Sequence, residues 1–287
     1  MTSNPTDFLR LRQICLVAQD LEPAVDTLCD VLGLQVCHRD PGVERFGLHN
    51  ALMRIGNRFI EVVAPLPGPR GQNTAATRHL ARLGGDGGYM VILDTNAMAR
   101  WRAQAAGLGI REASFHQVEG YTGLQLHPRD TGGALLEINH TQGNDALAGG
   151  YWPAGPHWQD APDSSAGVAL QGASLSGPHA RGLCQRWAAL LQCRVVSPDC
   201  LQLDDGTTLA FESASASQPH GLTGLHLTVR DPAGIMTRAR ALGLPITEDR
   251  PAGSPTGGAA ASTVGSTAAS TLTCVEMCGV TWQLDSV

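Results

Sequence analysis

The feature that most constrains this chain is an internal repeat: one order of extended runs and a single helical face returns four times along its 287 residues. In the first copy, residues 11–17 alternate as a strand, Asp20 can cap a helix and Pro23 suits a first helical turn. Val25, Leu28, Cys29 and Leu32 then recur at i, i+3, i+4 and i+7, one face of a helix that stops at Gly33. Extended runs follow at 34–38, 47–55 and 58–64, with turns at Asp40-Pro41-Gly42 and Gly56-Asn57.

The second copy has a strand at 89–93, a helical face of Met98, Trp101, Ala105 and Leu108 stopped by Gly109, and strands at 123–127 and 134–139. The third has 168–175, a helix carrying Leu183, Trp187, Leu190 and Leu191, and strands near Arg194, Leu201 and 208–212. The fourth has 224–229, a helix with Ile235, Ala239 and Leu242 stopped by Gly243, and a closing stretch at 271–284. The pattern predicts an α+β fold of four βαβββ modules paired into two domains with curved mixed sheets. The expected division is a first domain at 1–145 (modules 9–66 and 86–140), a linker at 146–165, and a second domain at 166–287 (modules 166–214 and 221–287). The linker reading rests on a tract rich in Gly, Pro and Asp, which Trp152, Trp158 and His157 are expected to pack onto one half. Residues 251–270 hold only Ala, Gly, Ser, Thr, Pro and one Val, and are expected to form a mobile insertion. Gly84-Gly85-Asp86-Gly87-Gly88 precedes a strand and not a helix, so it reads as a hinge between modules and not as a phosphate loop.

Hydrophobic residues at 43% and charged ones at 16% supply real cores. The net charge of −6 and the scattered placing of the 20 basic residues, all of them arginine, argue against nucleic acid as a partner. No apolar run reaches membrane length, and acidic residues interrupt the first thirty positions, so no membrane partner and a cytoplasmic location are expected. Eight cysteines without a CxxC pair are expected to be reduced thiols.

Particular stretches resemble the vicinal oxygen chelate superfamily of glyoxalases, bleomycin-resistance proteins and extradiol dioxygenases. Leu11-Arg12-Gln13-Ile14-Cys15-Leu16-Val17-Ala18-Gln19-Asp20-Leu21 resembles its opening strand, and Val31-Leu32-Gly33-Leu34 the helix end that follows. Ile55-Gly56-Asn57-Arg58-Phe59-Ile60-Glu61 is similar to the end of the first unit of methylmalonyl-CoA epimerases, and Leu126-His127-Pro128-Arg129-Asp130-Thr131-Gly132-Gly133-Ala134-Leu135-Leu136-Glu137 to their closing motif.

The resemblance implies a sheet curved around a metal and substrate cavity, with ligands from the first and last strands of each unit. It puts Gln13, Glu61 and Glu137 forward as oxygen ligands of a divalent ion such as magnesium or manganese. Tyr89 lines the cavity where a His is expected, and a neutral Tyr is a poor ligand. Glu44 resembles the neighbourhood of the epimerase general base, and His127 is the second catalytic candidate, as a cavity-facing acid or donor. The plainer readings are a solvated loop Glu and a turn residue. In the second half the opening positions are Gly172 and Gly224 and the closing ones Glu212 and Gln283, with His226 as a substitute ligand, so that half reads as a degenerate partner. The implied function is a metal-dependent lyase or isomerase acting on a small oxygenated metabolite through a carbonyl or enolate. The alternative is a metal-free protein that binds or sequesters a small molecule, as bleomycin-resistance relatives do. A homodimer is an open expectation.

Overall fold

The computed structural model describes residues 7–164, 167–218, 220–249 and 272–287, so the expected insertion at 251–270 lies outside the described residues. The first module runs β1 (Leu9–Val17), α1 (Leu21–Leu32), β2 (Val36–His38), β3 (Leu48–Ile55) and β4 (Arg58–Pro65). After α2 (Ala75–Leu83), the second runs β5 (Gly87–Thr95), α3 (Met98–Gly107), β6 (Glu112–Val118), β7 (Tyr121–Leu126), the one-turn α4 (Pro128–Thr131) and β8 (Leu135–Thr141). The third is β9 (Val168–Gly177), α5 (Ala180–Leu191), β10 (Arg194–Ser197), β11 (Cys200–Gln202) and β12 (Thr208–Ser213). The fourth is β13 (Gly221–Val229), α6 (Pro232–Ala241), β14 (Ile246–Asp249), β15 (Leu272–Met277) and β16 (Val280–Ser286).

The strands form two eight-stranded mixed sheets, β2-β3-β4-β1-β5-β8-β7-β6 and β10-β11-β12-β9-β13-β16-β15-β14. In each sheet the opening strands of two modules pair antiparallel at the centre, and each closing strand returns parallel beside its own opening strand. The fold is α+β, with two halves of the same topology.

Alternation decides which side each strand buries. Leu9, Leu11, Ile14 and Leu16 of β1 and Ile60, Val62 and Ala64 of β4 face the helices, in one core that also takes Leu28 and Val31 of α1, Leu190 of α5 and Ile235 of α6. This core is continuous through both halves. Helix α1 ends where predicted: Gly33 adopts φ 70°, a left-handed conformation that glycine takes without strain, and donates its N–H to the Cys29 carbonyl. The glycine run before β5 is not a simple hinge. Gly84 caps α2, a helix the repeat reading did not include. At Gly88 the halves approach so closely that an added Cβ would lie 2.1 Å from the Leu222 carbonyl oxygen.

The linker tract packs on the first half. Tyr151 stacks on Phe59 with ring centroids 5.0 Å apart, and Trp158 meets the same ring edge-on at 5.2 Å, whereas His157 is exposed. Two buried arginines hold its start and the residues just before it. Arg10 pairs with Asp94 at 2.8 Å and donates to the Asn144 carbonyl. Arg12 donates to the Leu147 carbonyl beneath the Tyr151 ring. All eight cysteines are free thiols. Among the described residues no helix is long and apolar enough to cross a membrane.

Candidate functional site

The face of the first sheet turned away from the shared core carries the site. A β-bulge between Leu11 and Gln13 resets the alternation of β1, so Gln13, Cys15 and Val17 turn away from the helices. On β4, Phe59, Glu61 and Val63 share that side, and on β8 Leu135 and Glu137 do. Helix α2 covers one end of this face, with Ala76 and Leu80 against Met90 and Val17. The result is a cavity of about 300 Å³.

Gln13, Glu61, Tyr89 and Glu137 all line this cavity. The register shows which of them are equivalent. Gln13 lies opposite Ile92 and Cys15 opposite Met90, while Cys15 sits beside Glu61 and Ile92 beside Glu137. The approximate twofold relating the modules therefore exchanges Glu61 with Glu137 and Gln13 with Met90. Distance to the next helix agrees: Gln13 and Met90 each stand eight residues before the first residue of α1 and α3. The place expected for Tyr89 is thus held by a thioether. Tyr89 is one residue away, at a register shift between β1 and β5, with its ring edge-on to His79 at 5.1 Å. Burial raises its hydroxyl to about 12, which keeps it protonated.

Both carboxylates are buried, Glu61 at 7% and Glu137 at 6% exposure. Glu61 accepts from Asn50 Nδ2 at 2.6 Å and Gln13 Nε2 at 2.7 Å, with the Cys15 thiol against it. Glu137 accepts from the Tyr121 hydroxyl at 2.8 Å, Gln125 Nε2 at 2.9 Å and Asn139 Nδ2 at 3.3 Å. Burial is the main cause of a raised Glu61 pKa, and the nearby Glu137 charge pushes the same way. Arginine does not neutralise them: Arg54 and Arg58, which flank the Gly56-Asn57 turn that leads into β4, pair with Asp163 and Asp205 instead. Among the described residues neither carboxylate has an ion-pair partner.

These residues do not suit a hard divalent ion. The Gln13 amide is committed at both ends, its Oε1 accepting from the Tyr151 hydroxyl at 2.8 Å and its Nε2 donating to Glu61. The fourth position is Met90, and thioethers favour soft metals over magnesium or manganese. Two carboxylates then remain as direct ligands, and water or substrate would have to supply the rest of a shell of about six oxygens. Among the described residues no group of three or more His, Cys, Asp or Glu side chains is arranged to hold a metal.

Glu44 and His127 stand outside the cavity. Glu44 lies in the 3₁₀ turn Pro41–Phe46 and points to solvent, paired with Arg70 at 3.1 Å, while its neighbours Val43, Arg45 and Phe46 line the cavity. The His127 ring accepts from the Arg129 N–H at 3.3 Å as the cap of α4. In the second half, Gly172 and Gly224 stand eight residues before α5 and α6, as Gln13 and Met90 do before α1 and α3. Glu212 is not the counterpart of Glu61: Ala210 is, because it lies beside Ser174, whereas Glu212 lies two residues on and is exposed. His226 sits beside Gln283 and meets the Ser174 hydroxyl at 2.8 Å, with burial lowering its pKa.

Several site residues escape a strand-by-strand reading. Asn50, Tyr121 and Gln125 come from middle strands, and Tyr151 and Trp152 from the linker. The one usable signal is register, since Gln125 stands directly opposite Glu137.

Two sheets of paired βαβββ modules, with a cavity on the face opposite the helices, define the vicinal oxygen chelate superfamily. Within it, the family model of the glyoxalase-like domain matches residues 14–191, and the chain belongs to that family. A variant of 4-hydroxymandelate synthase from Streptomyces coelicolor superposes with a TM-score of 0.67 at 12% identity, covering 97% of this chain and 92% of its own. A hypothetical protein from Staphylococcus aureus gives a TM-score of 0.59 at 9% identity, covering 97% and 100%. A variant of methylmalonyl-CoA epimerase from Streptomyces coelicolor is 20% identical over 47% of this chain and 99% of its own, with a TM-score of 0.42. No curated protein sequence matches the chain.

Proposed function

We propose that the first half binds a small organic molecule in its cavity, with Glu61 and Glu137 as the polar floor and no resident divalent metal. The observation that carries this reading is the donor set: two carboxylates, an amide already bonded at both ends, and Met90 where a fourth ligand would be. The volume of about 300 Å³ is at the small end for ligand pockets and matches a metabolite-sized guest. Val43, Leu48, Val63 and Ile92 supply apolar contact to its body.

Manganese titration followed by electron paramagnetic resonance of the free ion tests the proposal. The expected result is no uptake at micromolar manganese by the wild-type chain, and measurable uptake by Met90→His, which adds an imidazole beside the two acids. Stoichiometric manganese on the wild type would overturn it.

A second reading retains the lyase or isomerase chemistry and is favoured by the burial-raised pKa of Glu61. A carboxyl group protonated closer to neutral pH can donate to a substrate oxygen or return a proton to carbon. It is tested by exchange of ligand carbon-bound hydrogen with deuterated solvent, which Glu61→Gln should abolish.

A further inference from the structure

We propose that the guest of this cavity carries a positively charged nitrogen: it is a small organic amine with an apolar or aromatic body. The inference rests on the reading that the cavity binds a small molecule, and it adds the chemical class.

Among the described residues, two buried carboxylates face one cavity with no protein cation against them. Leaving such charge uncompensated away from water is expensive, so the site gains from any cation that enters. The charges around the rim point the same way. Asp40 is a third acid on the lining, and the one arginine among the described lining residues, Arg45, is exposed with its guanidinium 4.7 Å from the Phe46 ring centre.

Hydrogen-bond capacity narrows the cation further. A carboxylate has about four acceptor positions. Asn50, Gln13 and the Cys15 thiol occupy three on Glu61, and Tyr121, Gln125 and Asn139 occupy three on Glu137. One position is left on each acid. A metal ion would need several waters to complete its shell, whereas a primary ammonium can give two of its three N–H donors to these acceptors and turn the third to an aromatic face. The rings are present: Trp152 stacks on Tyr121 at 4.8 Å, the hydroxyl of that Tyr121 bonds Glu137, and Tyr89 lines the same space. Aromatic faces beside acids attract cations and reject anions. A neutral alcohol could use the same two acceptors but would leave the charge unbalanced.

The test uses the full chain and three probes of one shape: 2-phenylethylamine, 2-phenylethanol and phenylacetate, titrated by calorimetry at neutral pH. The amine is expected to bind at least about tenfold tighter than the alcohol, and the acid not to bind measurably. Glu61→Gln and Glu137→Gln, each checked for fold by circular dichroism, should each reduce amine affinity about tenfold while changing alcohol affinity less than about twofold. An alcohol or acid that binds as tightly as the amine overturns the charge assignment and leaves the binding cavity standing. So does an amine preference that survives both substitutions. If no probe of any charge binds, the binding reading falls and this inference with it.

Discussion

Removing the Tyr151 hydroxyl should show that the segment joining the two halves is a working part of the site. In Tyr151→Phe the ring keeps its stack on Phe59, with centroids 5.0 Å apart, and loses only the donor that holds Gln13 Oε1 at 2.8 Å. Both residues are buried, so the Gln13 oxygen is left without water or partner. A buried acceptor stranded in this way costs about 1–3 kcal/mol, more than the net value of an ordinary hydrogen bond. Tyr151→Ala removes the ring as well and should cost about 3–5 kcal/mol, the range for deleting a buried aromatic. Urea denaturation followed by tryptophan fluorescence and by circular dichroism reads both numbers, and agreement of the two probes tests for a single transition. Gln13, no longer fixed, would present Glu61 with a less defined donor, so probe affinity should fall with stability in the Phe variant. A Tyr151→Phe protein as stable as the wild type, or one as damaged as Tyr151→Ala, would refute the argument that this single hydroxyl locks the amide.

The remaining predictions concern pH, the junction of the halves and the two residues outside the cavity. Because folding raises the Glu61 pKa above its ordinary value of about 4.5, the group's contribution is most favourable below that value and is lost as pH rises through the folded pKa. The stability of Glu61→Gln relative to wild type should therefore increase from pH 4 toward neutrality, and a flat difference in chemical denaturation would contradict the buried-acid assignment. Gly88→Ala places a Cβ 2.1 Å from the Leu222 backbone oxygen and should lower stability by about 2 kcal/mol or more, measured by urea midpoint. Glu44→Ala and His127→Ala should leave probe affinity within about twofold, since neither lines the cavity.

The fold was legible because the repeat combines two periodicities that sequence displays openly, strand alternation and a helical apolar face. Elements outside that repeated order, or on an exposed sheet edge, were not. Helix α2 is short, buries only Ala76 and Leu80 and lies between two modules, outside the repeated order, and edge strand β6 is largely exposed, so the repeat announces neither. The site was half legible for a related reason. Glu61 and Glu137 are charged residues inside apolar strand runs, an anomaly that burial makes conspicuous. Tyr89 was assigned to a place held by Met90 because a register shift moves the pairing, and no local property of the strand announces it. Counting eight residues back from the helix start would have found Met90, as it finds Gly172 and Gly224. The partners of the carboxylates depend on which strands become neighbours and on how the linker folds back. Those are properties of the assembled sheet.

The core shared by the two sheets has a consequence for how this chain can change. Leu28 and Val31 from one half and Leu190 and Ile235 from the other lie in the same apolar interior, so neither half can be removed without opening that interior to water. The counterparts of Gln13, Glu61 and Met90 in the second half are Gly172, Ala210 and Gly224, none of which carries a polar side chain, while the counterpart of Glu137 is Gln283. The two copies are therefore unequal in kind: the outer face of the first sheet is lined by acids and amides, and the matching face of the second chiefly by small residues, while the helices of both remain tied in one interior.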